Sequence, residues 1–209
     1  MAWRNIWRNR RRSTVTVAAM SFALLVMILY SGLVAGMLQG FERNVVEIEV
    51  GDLQIFAPGY RDKPQIHTRI ADADRLVHEL EAAGLRASPR LLAAGLAAVK
   101  EESAGVAIRG VDVRLDRDVS MIHEKLAKGR WLDPARPKEV VLGRLLAHNL
   151  AAKPGSELVL LSQGADGSMA NDLYRVRGVL RGVSEGVDRA CVFMTAGAAA
   201  RDRSISARI

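Results

Sequence analysis

The sequence predicts an α+β domain preceded by one N-terminal transmembrane α-helix. A segment without charged residues runs from Ser13 to Phe41, and short patterns typical of strands and helices are mixed after it. These patterns follow no regular βαβ order, so we expect an α+β rather than a doubly wound arrangement. With 209 residues, 49% of them hydrophobic, the chain is long enough for one domain and one additional element.

The charge-free segment is long enough to cross a lipid bilayer. Its centre, Phe22 to Leu29, consists almost entirely of large apolar residues. Because an α-helix rises about 1.5 Å per residue, about 20 apolar residues cross the hydrocarbon core. We therefore predict a transmembrane helix at residues 13–41. A cleaved signal peptide and a buried helix of a soluble protein are the alternatives, but this segment is longer than either usually is.

Positive charge is concentrated before this segment. The net charge is +7, and five of the positive charges precede Ser13 without any acidic residue. After the segment, Glu42, Glu47, Glu49 and Asp52 outnumber Arg43. Because arginines beside a membrane helix are retained in the cytoplasm, we expect residues 1–12 to be cytoplasmic and residues 42–209 to form an extracytoplasmic domain. The charge distribution thus favours a membrane over nucleic acid as partner.

Residues 1–12 predict a short amphipathic elbow at the cytoplasmic membrane surface. Trp3, Ile6 and Trp7 share one stripe of a helix, whereas three arginines share another. Tryptophan prefers the headgroup region, and arginine pairs with anionic lipid. The residues predicted at the membrane interface are Trp3, Trp7, Arg4, Arg8, Arg10, Arg11 and Arg12. A plain basic tail that only sets the topology is the alternative.

Gly32, Gly36 and Gly40 recur every four residues and predict a helix-packing face. Small residues at this spacing allow a second helix to approach closely inside a membrane. Glycine is also common in membrane helices generally, so the pattern indicates helical partners without requiring them.

The remaining sequence predicts short strands and helices. Residues 50–60 are typical of a strand that ends in a turn at Pro58-Gly59, and residues 71–84 of a helix stopped by Gly84. The further elements that we expect are paired strands at Leu91–Lys100 and Val106–Val111 around a turn at Glu101–Gly105, helical or irregular structure at 115–129, a strand at Glu139–Leu142, a helix at Arg144–Ala151, and strands at Glu157–Leu161, 172–183 and 190–194.

No motif predicts a catalytic, cofactor or metal site. GVSEG at 182–186 has the letters of a nucleophile elbow, but we expect a strand after Ser184 instead of the required helix, and no histidine follows. HEKLA has Ala127 where a zinc motif needs its second histidine. No common ligand spacing relates the four histidines, His67, His78, His123 and His148. The single cysteine, Cys191, excludes an intrachain disulfide.

Three stretches resemble the permease subunits of the MacB and FtsX-like family of ABC transporters, including the lipoprotein-releasing permeases. AWRNIWRNRRRSTVTVAA is similar to the family's entry into its first membrane helix, and GDLQIFAPGY to the first extracytoplasmic strand of one branch. GRWLDPARPKEVVLGRLLAHNLAAKPGSELVLL is similar to a recurring pattern of turn, strand, helix, turn and strand. The three stretches occur in the family's order and span nearly the whole chain.

The resemblance implies a MacB-like periplasmic core domain and a non-catalytic permease subunit in the bacterial inner membrane, which moves a lipid-linked or amphipathic substrate. The implied partners are an ABC ATPase, a second permease copy or paralogue, membrane lipids and a periplasmic protein, with no cofactor and no nucleic acid. A P-loop motif is absent from the sequence, so ATP hydrolysis is expected in the partner.

The resemblance also implies three further membrane helices. The last stretch, ACVFMTAGAAARDRSISARI, contains no second apolar run, so we expect a fragment or a truncated gene product. A single-span, membrane-anchored binding or docking module without transport activity is the alternative function.

Overall fold

The structure, a computed structural model, describes residues 10–45, 53–61, 68–163 and 169–201. The chain divides into two compact units, Met1–Arg43 and Asn44–Ile209. The described part of the first unit is helical, and the described part of the second unit mixes strands with short helices.

Helix α1, Arg10–Val45, contains the whole predicted span and extends beyond it at both ends. Its segment Arg10–Leu38 is long and apolar enough to cross a membrane, with a mean hydropathy of 2.3 and no part of its most apolar stretch buried. Thr14 and Thr16 donate their hydroxyl hydrogens to the carbonyl oxygens of Arg10 and Arg12, at 2.7 and 3.0 Å. These hydroxyls are therefore satisfied within the helix, as an apolar environment requires.

The second unit contains the following elements: α2 (Ala73–Ala82), β1 (Arg90–Val99), β2 (Glu102–Val111), α3 (Leu115–Val119), a 3-10 turn (Ile122–Glu124), β3 (Leu126–Gly129), β4 (Glu139–Leu142), α4 (Arg144–Asn149), β5 (Glu157–Gln163), β6 (Met169–Leu180), α5 (Glu185–Ala190), β7 (Cys191–Thr195) and α6 (Ala196–Arg201). Strands and helices alternate irregularly, which confirms the predicted α+β class.

The strands form one mixed sheet that closes on itself. Its order is β3-β6-β4-β7-β2-β1-β5, and β5 also pairs with β6. Strand β6 is long enough for all three neighbours, because its first part pairs with β5 and its last part with β4 and β3. The β2–β7 and β4–β6 pairs are parallel, and the others are antiparallel. Closure pairs strand edges that an open sheet would leave exposed.

The two faces of the sheet carry separate hydrophobic clusters, as the alternation of side chains along a strand requires. The larger cluster includes Ile108, Val140, Leu158, Val176 and Met194, together with Leu146 of α4 and Ala199 of α6. We call the opposite side the outer face. Its cluster includes Val111, Val141, Cys191 and Phe193 of the sheet, covered by Val113, Ile122, Trp131, Leu132 and Val187.

Four sequence predictions are wrong within the described residues. Leu53–Ala57 has no regular secondary structure, although the following turn is present, with Tyr60 N donating to Ala57 O at 3.1 Å. The β1–β2 turn consists of Lys100 and Glu101 alone, because Val99 already pairs with Glu102. Lys100 has a φ of 55°, which a tight two-residue hairpin turn permits. Helix α5, Glu185–Ala190, follows Ser184 where we expected a strand. Strand β3, Leu126–Gly129, lies in the stretch 115–129 that we expected to be helical or irregular.

Candidate functional site

Arg177 binds the 130–138 loop to the sheet. It is the extra residue of a β-bulge, because Val140 pairs with Val176 whereas Val141 pairs with Gly178. A bulge changes the direction of a side chain. The guanidinium of Arg177 donates from Nε to Trp131 O at 2.6 Å, forms an ion pair with Glu139 and lies 3.5 Å from Asp133. Only 14% of this side chain is exposed, so its charge is compensated by Glu139 of β4 and Asp133 of the loop rather than by water.

Two glycines allow this region to pack closely. Gly129 has a φ of 82°, and a Cβ there would lie 2.1 Å from Arg177 O. A Cβ at Gly143 would lie 2.1 Å from Val187 O, so Gly143 allows α5 to approach the start of α4. Both distances are far below a van der Waals contact, and a larger residue would displace backbone at either position.

Trp131 anchors the loop on the outer face. It is 7% exposed, and its ring centroid lies 5.8 Å from that of Phe193 at an interplanar angle of 47°. Such tilted aromatic pairs stabilise a core beyond their burial alone. The Gly-Arg-Trp turn at 129–131 thus serves packing, because it places Trp131 over the outer face of the sheet.

A groove with a volume of about 850 Å³ lies beside α2. Its apolar lining residues include Leu53, Ile55, Phe56, Leu76, Val77, Leu80, Leu85 and Met121. The lining also contains four arginines, Arg86, Arg90, Arg109 and Arg117. Asp118 is the only acidic residue among the described residues that line the groove. The volume lies within the range of about 300–1,000 Å³ that is typical of small-molecule sites.

The arginines of the groove differ in their surroundings. Arg90 donates from Nη2 and Nε to Asp116 Oδ1, at 2.8 and 3.0 Å. Asp116 is 1% exposed and also accepts a hydrogen bond from Ser120 Oγ at 2.9 Å, so Arg90 neutralises a buried carboxylate. The guanidinium of Arg109 lies 5.9 Å from the ring centroid of Phe193. Arg86 and Arg117 are exposed. Among the described residues that line the groove, four are arginines and one is acidic.

The predicted membrane-interface residues are only partly described. Arg10, Arg11 and Arg12 are exposed and belong to α1 itself, whereas the other four, Trp3, Arg4, Trp7 and Arg8, lie outside the described residues. Their role at a membrane surface stays a prediction.

The predicted packing glycines have open space around them where they are described. A Cβ built at Gly32 or Gly36 meets nothing within 4 Å. Gly40 lies in α1, but its surroundings are outside the described residues. The glycine face is thus sterically accessible to a second helix, and helix packing there stays a prediction.

Ser184 is followed by helix α5, so the expectation of a strand at this position is wrong. The physical reason is a helix cap: Ser184 Oγ accepts a hydrogen bond from Val187 N at 3.3 Å. The backbone of Ser184 is extended, with φ −144° and ψ 160°, and lacks the strained turn of a nucleophile elbow. We therefore assign Ser184 a capping role.

The histidines that are described lie apart from any metal site. His78 Nδ1 lies 3.6 Å from Glu81 Oε2 at the surface, His148 is exposed, and His123 Nδ1 lies 3.1 Å from Ser120 O. His67 lies outside the described residues. Within the described ranges, no group of three or more His, Cys, Asp or Glu side chains could hold a metal ion.

Sequence reasoning missed both the Arg177 contacts and the groove. Gly178 inside a strand pattern was the available signal for a bulge beside Arg177. For the groove, the signal was the apolar stretch Leu53–Phe56, which we interpreted as a strand. The pairing of Arg90 with Asp116 has no local sequence signal, since 26 residues separate them.

These features define a closed α+β domain in a chain that also carries a membrane-length apolar helix. The sequence profile of the MacB-like periplasmic core domain matches residues 13–209. The chain belongs to this family, and it is accordingly a permease-type component of an ABC transporter, whose family implies an ATPase partner. This confirms the resemblance to MacB and FtsX-like proteins, whereas the lipoprotein-releasing branch stays a prediction.

Among solved structures, the chain is similar to the extracellular domain of the noncanonic ABC-type transporter YknZ from Gram-positive bacteria. The identity is 12%, the match covers 73% of this chain and 78% of that chain, and the TM-score is 0.46. No curated protein sequence matches the chain.

Proposed function

We propose that this chain is a permease subunit that moves or extracts a lipid-linked or amphipathic substrate, with ATP hydrolysis supplied by a separate ABC ATPase. The observation that carries the proposal is the extent of the family match, which begins at residue 13, in the apolar part of α1, and continues through the sheet. A helix with exposed apolar side chains and a transporter-type domain thus belong to one family unit.

The proposed topology is cytoplasmic for residues 1–12, membrane-spanning for 13–41 and extracytoplasmic for 42–209, in a bacterial inner membrane. The arginines before the span support this orientation, because positively charged flanks are retained in the cytoplasm. A reporter that is active only outside the cytoplasm should be active when fused after Gly51. Activity of a cytoplasmic reporter at the same position would contradict the orientation.

The proposed mechanism is mechanical. Closure of the ATPase subunits moves the membrane helices of the permease pair, and the extracytoplasmic domain gates or transmits that motion. The closed sheet supports such a role, because strands that are hydrogen-bonded on both sides, such as β5 between β1 and β6, resist bending of the domain. A second permease, identical or paralogous, and a periplasmic protein are further proposed partners.

The glycine face of α1 gives a test at residue level. Gly36→Leu should place a large side chain on this face without a clash inside the chain, since a Cβ at Gly36 meets nothing within 4 Å. Leucine favours the membrane, so insertion should be unchanged. We expect less ATPase and less second permease to co-purify with the tagged full chain from native membranes, as measured by quantitative mass spectrometry.

Leu25→Ile is the matched control, because Leu25 is an exposed aliphatic residue of the same helix and leucine-to-isoleucine exchange conserves volume. Unchanged co-purification of Gly36→Leu would reject the packing role of the glycines. Failure of the unmodified chain to co-purify with any ABC ATPase would favour the single-span docking module instead.

A further inference from the structure

Exposed apolar side chains gather at the groove beside α2. In the described part of the second unit, six large hydrophobic residues are exposed, and four of them line this groove. We call these four the apolar rim: Leu53, Ile55, Leu85 and Met121, which are 77%, 39%, 54% and 48% exposed. We propose that the apolar rim inserts into the extracytoplasmic surface of the lipid bilayer. This inference rests on the proposed topology and adds a second membrane contact to that of α1.

The clustering of the rim residues, more than their number, indicates a contact surface. Single exposed hydrophobic residues are normal on a soluble domain, whereas exposed apolar side chains gathered in one place mark a protein or membrane contact. The rim residues come from three separate segments, which are the stretch 53–57, the turn after α2 and the residue before the 3-10 turn. Folding therefore brings these apolar groups together and leaves them exposed.

Helix α2 adds a partly covered apolar face to the same groove. Leu76, Val77 and Leu80 line the groove and are half-buried. Arg75 and Glu79 lie on the opposite side of the helix, where they are exposed and form an ion pair at 2.9 Å. Apolar surface therefore extends from the rim into the groove, and only the far side of α2 is charged.

The bilayer is the partner that the chain itself brings close to the rim. Helix α1 ends at Val45, and Leu53 follows eight residues later. An extended chain covers at most about 3.6 Å per residue, so this connection reaches no more than about 29 Å, close to the ~30 Å thickness of the hydrocarbon core. Insertion of α1 therefore keeps Leu53 within reach of lipid, whereas a soluble partner has no such tether.

The residues beside Leu53 and Ile55 suit the boundary between water and hydrocarbon. The rings of Phe56 and Tyr60 are stacked with their centroids 5.8 Å apart, and the Arg61 guanidinium lies 6.0 Å from the Phe56 centroid. Tyrosine is enriched where a bilayer meets water, and arginine side chains reach from apolar surroundings to the headgroups. This composition supports a contact at the membrane surface.

The test measures membrane contact of nitroxide labels by electron paramagnetic resonance. The full chain is placed in nanodiscs of phosphatidylcholine, which has no net charge, and single labels are attached at Leu53→Cys, Leu85→Cys, Leu96→Cys or Leu173→Cys. All four positions carry exposed leucines, and Leu96 and Leu173 are the matched controls outside the groove lining. Cys191 is 2% exposed, so the unmodified chain should stay unlabelled.

Oxygen partitions into the bilayer, whereas a nickel chelate stays in water. The ratio of oxygen to chelate accessibility at Leu53 and Leu85 should exceed that at the two controls about tenfold, equivalent to about 1.4 kcal/mol in partitioning. With the label at position 53, Leu85→Glu/Met121→Glu should shift this ratio toward its value in water, because a charged side chain resists insertion. Leu96→Glu/Leu173→Glu adds the same charge elsewhere and should leave the ratio unchanged.

Equal ratios at the four positions, or an unchanged ratio in Leu85→Glu/Met121→Glu, would overturn the proposal. Low accessibility to both reagents at positions 53 and 85 would mean that a protein or another segment of this chain covers the rim, and would overturn it as well. A label at Leu25→Cys in α1 separates this result from the proposed function. A membrane-type ratio there with a water-type ratio at the rim rejects only the rim contact, whereas water-type ratios at both places also reject the proposed span.

Discussion

The outer face of the sheet differs between its two halves. Over β2, β4 and β7, Phe193 is 2% exposed beneath Trp131 and its neighbours, and we call this the covered half. Over β1, β5 and the part of β6 that pairs with β5, Leu96 and Leu173 are 42% and 49% exposed, and we call this the uncovered half. On β5, Val159 and Leu161 are two residues apart and therefore point to the same face of the sheet. Leu96 is paired with Leu161 and Leu173 with Val159, so Leu96 and Leu173 also lie on that face. In both halves, side chains alternate between the two faces of the sheet in the same way. Only the layer that packs on the outer face decides whether an apolar side chain there is buried or exposed.

The largest effect is expected at Gly143, where α5 approaches the end of β4. Gly143→Ala would place Cβ 2.1 Å from Val187 O and 2.8 Å from Asp188 O. Because both neighbours are backbone, α5 must move, and we expect a loss of folding stability of more than about 4 kcal/mol. Urea unfolding of the full chain in uncharged detergent would measure this loss, with Trp3→Phe/Trp7→Phe leaving Trp131 as the only tryptophan fluorophore.

Gly105→Ala is the control at an open position of β2, opposite the exposed Leu96. Gly105 is paired with Leu96, has no positive φ, and a Cβ there meets nothing within 4 Å. We expect the stability to stay within about 1 kcal/mol or to rise, since alanine restricts the unfolded chain. Equal losses for the two glycine variants would contradict the distinction between the closely packed position at Gly143 and the open position at Gly105.

A comparison of side chains tests the covering layer itself. Phe193→Ala should cost about 3–5 kcal/mol, because it removes a buried ring and its contact with Trp131. Leu173→Ala should cost less than about 1 kcal/mol, because half of that side chain is already in water. The same urea titration measures both. A large loss for Leu173→Ala would indicate that residues outside the described ranges cover this half.

Arg177→Gln should weaken the attachment of the 130–138 loop. The variant leaves Glu139 and Trp131 O without their charged donor, and we expect a loss of about 2–3 kcal/mol. Hydrogen exchange of the loop amides should report faster local opening. Arg189→Gln, which breaks only an exposed pair with Glu185, should cost less than about 0.5 kcal/mol. Similar losses in both variants would reject the special role of the bulge.

The smallest effect concerns the ion pair between Lys138 of the covering loop and Asp172 of β6. Partial burial alone would raise the pKa of the Asp172 carboxyl, but hydrogen bonds from Lys138 and Leu173 N and the charge of Lys138 outweigh it and lower this pKa. The resulting stability is present above the unfolded pKa of about 3.9 and is lost as pH falls through the lower folded value. Since Lys138 is 63% exposed, the contribution should be less than about 1 kcal/mol.

Lys138→Met should remove this part of the pH dependence. Urea midpoints measured between about pH 5 and about pH 2 should then fall less steeply with acid than in the unmodified chain. An identical slope in the variant would show that Asp172 is not held by Lys138.

The sequence by itself determined those features that depend on local pattern. The absence of charges from Ser13 to Phe41 predicted a helix that the structure contains as part of α1. The short run Glu139–Leu142, with two β-branched valines at its centre, predicted β4 with its observed bounds, and Gly84, with a φ of 82°, follows α2 as expected. The order of the three resembling stretches predicted the family. Each of these signals depends on residues that are close together in sequence, and the spacing of those residues determines the local backbone structure.

Only the tertiary structure decided which apolar surfaces are buried and where charges meet. Leu53–Phe56 has the alternation of a strand but lines the groove, because no described strand pairs with it. Phe193 and Leu173 occupy similar strand patterns, and their burial differs because the loop around Trp131 packs on only one of them. Arg177 meets Glu139 across 38 residues through a bulge in the sheet. Burial and ion pairing are set by contacts between segments distant in sequence, and local patterns carry no information about those contacts.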